Sequence, residues 1–158
     1  MREILFRGKD VISGEWVYGD LAQEKHTDNS IKCAIVQTLY TYEVTPSTVG
    51  QYTGLADKND KKIFEGDIVA FTFHSDLAEH ARLEERPEIT ENHVILFHDG
   101  SFWMKRIVVP DSLTVHLYGG RIMLESLWKH RIEVIGNIYD NPDLLKGENK
   151  DATEALSD

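Results

Sequence analysis

The sequence predicts a mainly β protein, either a small twisted β-barrel or packed antiparallel sheets, with a minor helical insertion. Three observations carry that expectation. Short runs rich in β-branched and aromatic side chains recur along the chain, clusters of Gly, Asn and Asp separate them, and before the C-terminus one stretch has both a helix start and a helix stop.

Ile4 to Arg7 is an apolar run closed by Gly8, and Glu15 to Leu21 alternates around Trp16, Tyr18 and Leu21 after the turn residues Ser13 and Gly14. Both read as strands. Ile31 to Leu39, with Ile31, Ile35, Val36 and Thr38, follows a polar loop and reads as a third. In the segment VGQYTGL at 49 to 55, Gly50 and Gly54 flank Gln51, Tyr52 and Thr53. Paired glycines around an aromatic imply a kinked or bulged segment under another strand. Ala56 to Lys61 is a polar turn in which Asn59 and Asp60 suit left-handed backbone. In KKIFEGDIVAF at 61 to 71, Glu65, Gly66 and Asp67 make a tight turn, and Ile68, Val69, Phe71 and Phe73 continue as a strand.

Ser75 to Arg86 has Asp76 as a cap, Glu79 three residues on and Pro87 as a stop, so 76–86 is expected to be a peripheral helical insertion. His93 to Phe97 and Ser101 to Val109 flank Asp99 and Gly100, a pair favoured in type I′ hairpin turns. Leu113 to Tyr118 alternates before Gly119 and Gly120 break it, while Arg121 to Trp128 fits neither strand nor helix period cleanly. Glu133 to Tyr139 reads as a strand interrupted by Gly136, and Asn141 with Pro142 opens a turn through Leu144 and Leu145. The expected organisation is a single β domain over 1–145 and a mobile polar tail over 146–158.

Twenty-seven acidic against 17 basic residues give a formal net charge of -10. Such a surface repels phosphates and disfavours general nucleic-acid or anionic-membrane binding, leaving a local basic patch or DNA mimicry as the nucleic-acid routes. Cys33 is the single cysteine, so no intrachain disulfide and no cysteine-based zinc site can form, which suits a reducing, cytoplasmic setting. The N-terminal apolar run is too short for a signal-peptide core, and no apolar run is long enough to span a membrane.

Candidate chemistry is sparse. Seven histidines are scattered, with His80 and Glu84 at helical spacing better explained as a solvated helix face. His98 beside Asp99 sits in a hairpin turn, Cys33 sits in an apolar strand pattern, and Gly119, Gly120 and Arg121 read as a turn before an anion nest. The acidic residues Asp57, Asp60, Glu65 and Asp67 lack the calcium-loop spacing and suit turns and strand starts. No catalytic residue, metal ligand or cofactor site is assigned from these patterns.

Four segments together carry a resemblance: MREILFRGK at 1 to 9, EWVYGDL at 15 to 21, VGQYTGL through KKIFEGDIV at 49 to 69, and VIGNIYDNPDLL at 134 to 145. In this order they resemble the YopX family of phage and prophage proteins. The resemblance implies a largely β fold and a phage origin, and it implies no catalytic residues. Asp60 departs from the glycine of the family's Asn-Gly turn, and 74 to 130 matches no fixed motif.

The expected function is that of a non-enzymatic phage accessory protein acting through contacts with host or phage proteins and with itself as a homo-oligomer. The oligomer expectation rests on apolar strands such as Ile107 to Val109 and Leu113 to Leu117, whose edges one weak helix cannot cover. A nucleic-acid role would need Lys105, Arg106, Arg121, Lys129 and Arg131 to converge, and an enzyme would need a site in the 74–130 region.

Overall fold

The computed structural model describes residues 3–74, 88–107, 121–123 (as backbone) and 130–146. Two antiparallel sheets account for nearly all of them. In the first, β1 (Phe6–Lys9), β2 (Trp16–Lys25), β3 (Ile31–Val36), β4 (Thr41–Val44), β5 (Gly50–Ala56) and β6 (Lys62–Phe64) lie in the order β4-β3-β2-β1-β5-β6. In the second, β7 (Asp67–His74), β8 (Glu88–His98), β9 (Ser101–Arg106), β10 (Arg121–Met123) and β11 (Ile132–Asn137) lie in the order β10-β9-β8-β7-β11.

Packed antiparallel sheets are therefore the architecture, and the barrel alternative is corrected because neither sheet closes. The first comes near to closing. Its first four strands curl until Asp10 bridges Val44, with Val11 N–H donating to Glu43 O at 3.0 Å and Thr45 N–H donating to Lys9 O at 2.9 Å. Gly8 makes this approach possible: a Cβ there would stand 2.9 Å from Val44 Cβ. The glycine read as the end of the first strand thus lies inside β1, which begins at Phe6, two residues beyond the expected start at Ile4.

Local turn chemistry fixes the register elsewhere. Asp99 at φ 50 and Gly100 at φ 76 turn β8 into β9, pairing His98 with Ser101 as the type I′ sequence demands. Asp60 holds φ 62 in the turn between β5 and β6, a left-handed site that Asp tolerates through its short polar side chain. Gly66 at φ 82 separates β6 from β7, and the register shift between Val134 and Gly136 is a bulge in β11. A 3₁₀ turn over Pro142–Lys146 follows, as Asn141 and Pro142 suggested. The third expected strand stops at Val36, and a separate strand, β4, follows it.

Two buried clusters form the core. Cys33, Ile35 and Val44 are buried with Phe6, Val17, Leu21, Tyr42 and Val49 inside the curl. Ile63 of β6 joins Val69, Phe71, Ile95, Met104 and Ile132 on the inner face of the second sheet. Full burial of each such aliphatic side chain contributes about 1.5–3 kcal/mol before entropy is subtracted.

Buried polar groups tie the sheets together. Asp57 Oδ1 accepts Asn59 N–H and Lys61 N–H at 2.8 and 2.9 Å, and its Oδ2 accepts Val134 N–H at 2.9 Å. Lys58 N–H donates to Ile132 O at 2.9 Å, so the turn after β5 occupies the outer edge of β11. That edge is covered rather than free.

The expected helix at 76–86, the strand at Leu113 to Tyr118, Trp128 and the tail from 147 lie outside the described residues. Among the described residues no helix is long and apolar enough to cross a membrane.

Candidate functional site

Side-chain parity in β1, β2, β5 and β6 puts Arg7, Lys9, Trp16, Tyr18, Tyr52 and Phe64 on one face of the first sheet. They form a continuous stack of cations and rings. Arg7 Cζ lies 4.5 Å from the Trp16 ring centroid and 4.9 Å from that of Phe64, and Phe64 touches Tyr18 and Tyr52 at 5.6 and 5.5 Å. Lys62 Nζ continues the row 4.8 Å from the Tyr52 ring, while Tyr139 approaches Trp16 at 5.8 Å.

Arg7 is buried at the centre of this stack, and its charge is answered by Asp67, which is 2% exposed: Nη2 lies 2.7 Å from Oδ1. The same Nη2 donates to Glu65 O at 3.2 Å, and Asp67 Oδ2 accepts Phe64 N–H at 2.8 Å. Burial pushes the Asp67 carboxyl up, while Arg7 and the Phe64 N–H pull it down. Arg7 Nε has no hydrogen-bond partner among the described residues, so the ring faces beside it are the compensation available to the cation.

At the solvent side a second node forms around Asp140. It accepts Trp16 Nε1–H at 2.7 Å and Asn137 Nδ2–H at 2.8 Å, and it pairs with Lys9. These donors, Lys9 foremost, hold its pKa down to about 2. Tyr139 O–H donates to Ser47 O at 2.5 Å. The turn after β11 is thereby docked on the first sheet through a row of charged and aromatic groups.

Chemically, this constellation is a clasp. Asp67 and Asp140 both face cations and are saturated by donors, so neither stands as a general base toward an open cavity. Beside the stack lies a shallow, open depression of about 570 Å³, lined by Leu5, Tyr18, Asp20, Val36, Gln37 and Thr38. Leu39 and Tyr40 follow directly, 82% and 63% exposed, with the Tyr40 ring 6.3 Å from that of Tyr42.

Sequence-level candidates separate into distinct places. Cys33 is buried in the first core. His98 Nδ1 and Asp99 Oδ1 meet at 3.1 Å on an exposed hairpin tip. Of the acidic group, Asp57 and Asp67 are buried structural acceptors, whereas Asp60 is exposed. Lys105 and Arg121 are cross-strand neighbours, but Arg106 is held by Glu91 at 2.5 Å. His80, Glu84, Gly119, Gly120 and Lys129 lie outside the described residues.

Sequence reasoning missed Arg7 and Asp140 altogether. Sixty residues separate Arg7 from Asp67, and no spacing rule connects them. The available signal was the density of aromatics beside basic residues in the N-terminal strands.

The chain is similar over 92% of its length, at 23% identity and a TM-score of 0.47, to the crystal structure of protein EF1440 from Enterococcus faecalis, 99% of which is covered. It is similar over 94% of its length, at 18% identity and a TM-score of 0.48, to the X-ray structure of protein yopX from Bacillus subtilis, again covering 99% of that chain. Among curated proteins, none matches. The model of the YopX protein family matches residues 5–146, and the chain belongs to that family.

Proposed function

We propose that this YopX-family chain is a non-enzymatic accessory protein of phage or prophage that works in the cytoplasm by binding other proteins. The observation that carries this reading is the exposed pair Leu39 and Tyr40 beside the depression formed by Leu5, Tyr18 and Val36. Single exposed apolar residues are ordinary on a soluble surface. A contiguous group beside a concavity favours a docking role. The polar constellation supports it too, since the ion pairs Arg7–Asp67 and Lys9–Asp140 tie β1 of the first sheet to the second sheet and to the turn after β11, leaving those charges committed to the scaffold.

Affinity capture from the native host, with and without phage infection, tests the reading. Leu39→Asp combined with Tyr40→Ser should release the captured protein while leaving the melting temperature near that of the parent. Retention of the same protein at the same level would overturn it.

A second reading has one supporting observation: Lys105 and Arg121 are paired across β9 and β10, placing two basic positions side by side. On this reading the chain is a nucleic-acid-linked protein. Gel shifts of duplex DNA at low salt, lost on Lys105→Glu, would favour it over the first.

A further inference from the structure

We infer that the outer edge of β2 from Asp20 to Lys25 accepts an extended, basic segment of a partner protein as an added strand. The inference rests on the protein-binding reading above and names the partner's chemistry. β1 pairs with β2 only from Trp16 to Gly19, whereas β3 pairs with Asp20 to Lys25 on the opposite side. Among the described residues nothing pairs with the outer edge of Asp20 to Lys25, and Ala22, Gln23, Glu24 and Lys25 are exposed. A strand edge of this length presents backbone donors and acceptors in register, which is the requirement for strand addition.

Charge sets which strand fits. Alternation puts Asp20, Ala22 and Glu24 on one face, beside Val36, Ala34 and Lys32 of β3. Lys32 pairs with Glu43 of β4 at 3.8 Å, and Asp20 has no ion pair among the described residues. Glu24 has His26 Nε2 at 3.9 Å, a cation only when protonated. An incoming strand with Lys or Arg opposite Asp20 and Glu24, and a small apolar residue opposite Ala22, would find complementary cross-strand neighbours. The depression beside Asp20 offers Leu5, Tyr18 and Val36 to an apolar residue at the end of the same segment.

A second copy fits this edge poorly. Edge-to-edge antiparallel pairing about a two-fold axis preserves faces, so it must be centred on a residue. Centring on Ala22 sets Asp20 against Glu24 twice, and like charges directly opposite are destabilising. Centring on Gln23 sets Leu21 against Lys25 and Ala22 against Glu24. Two chains of net charge -10 add repulsion at longer range.

The test uses the full chain and a short acetylated peptide, Thr-Lys-Thr-Val-Thr-Lys-Thr, with a Glu-for-Lys counterpart and a backbone N-methylated version. The expected result is a perturbation of backbone amide signals centred on 20 to 25 by the Lys peptide alone. Asp20→Lys with Glu24→Lys should weaken that peptide by about tenfold or more and favour the Glu peptide instead, while Asp143→Lys should change neither. Equal binding of the N-methylated or Glu peptide to the parent chain, signals that move elsewhere, or peptide-independent dimerisation through this edge would overturn the inference. If the peptide leaves 20 to 25 untouched while the Leu39 and Tyr40 substitutions still release a captured host protein, the strand-addition inference fails and the protein-binding reading stands.

Discussion

Arg7 Nη2 stands 2.7 Å from Asp67 Oδ1, and the contact joins the first strand of one sheet to the first strand of the other. Both side chains are buried, so removing one leaves an unpaired charge in a place that water does not reach. Asp67→Ala should lower stability in urea unfolding by about 3–5 kcal/mol. Arg7→Met combined with Asp67→Leu should cost much less than the sum of the single changes, because no charge is then stranded. Additive losses would mean that the two residues act independently.

Gly66 gives a backbone prediction. Its φ of 82 lies where β-branched residues are strained, and a Cβ there would come 3.3 Å from Tyr139 Cε2. Gly66 N–H also donates to Ile95 O, and its own carbonyl accepts Ile138 N–H, so a shift of this peptide disturbs contacts on both sides. Gly66→Val should cost about 1–3 kcal/mol or more. A melting temperature equal to that of the parent would refute the turn's importance.

His93 supplies a pH dependence. It is buried on the inner face of the second sheet, donates from Nδ1 to Glu91 O at 3.1 Å, and lies edge-on to Phe71 at 5.8 Å. Burial, reinforced by the nearby Arg106 charge, pushes its pKa down. The unfolded chain takes up this proton first, near the ordinary value of about 6.5, so the contribution is complete above that pH and declines as pH falls through it. Half-buried Glu91, whose pKa is raised by burial, has the opposite slope at lower pH. The difference in unfolding free energy between pH 7.5 and 5.5 should therefore be larger for the parent than for His93→Phe. Equal differences would place His93 in a solvated setting.

Much of the fold was legible because its signals are local. Asp99 with Gly100, Gly66 between Glu65 and Asp67, and Asn141 with Pro142 each fix a turn through the conformational preferences of residues at that turn. Strand limits were less legible where tertiary contact decides them. Gly8 reads as a terminator in isolation, yet it lies within β1 because Val44 packs directly over it. The ties between the sheets were illegible for the same reason: Asp57 reads as a turn acid, but its second oxygen serves Val134, 77 residues away. The aromatics near Arg7 hint at a stacked cation, but no local pattern names Asp67 as its buried partner, and an arginine in a short strand is ordinarily solvated.

Asp140 provides the last prediction. Lys9, Asn137 and Trp16 stabilise its ionised form and hold its pKa to about 2, below the ordinary 3.8. A depressed carboxylate contributes stability that is complete above its unfolded value and is lost as pH falls toward the folded one, so the window runs from about 4 down to about 2. The group is largely exposed, and solvent screening keeps its energetic weight small, which makes a local probe preferable to global unfolding. Trp16 is that probe, because its indole N–H donates to Asp140 Oδ2. The Trp16 contribution to fluorescence, taken as the difference from Trp16→Phe, should hold steady down to about pH 4 and then change as Asp140 is protonated. Asp140→Asn should abolish that acid transition while leaving the neutral-pH spectrum folded. A transition of the same midpoint in both proteins would show that Trp16 reports another group and that the turn after β11 is not held to the first sheet through Asp140.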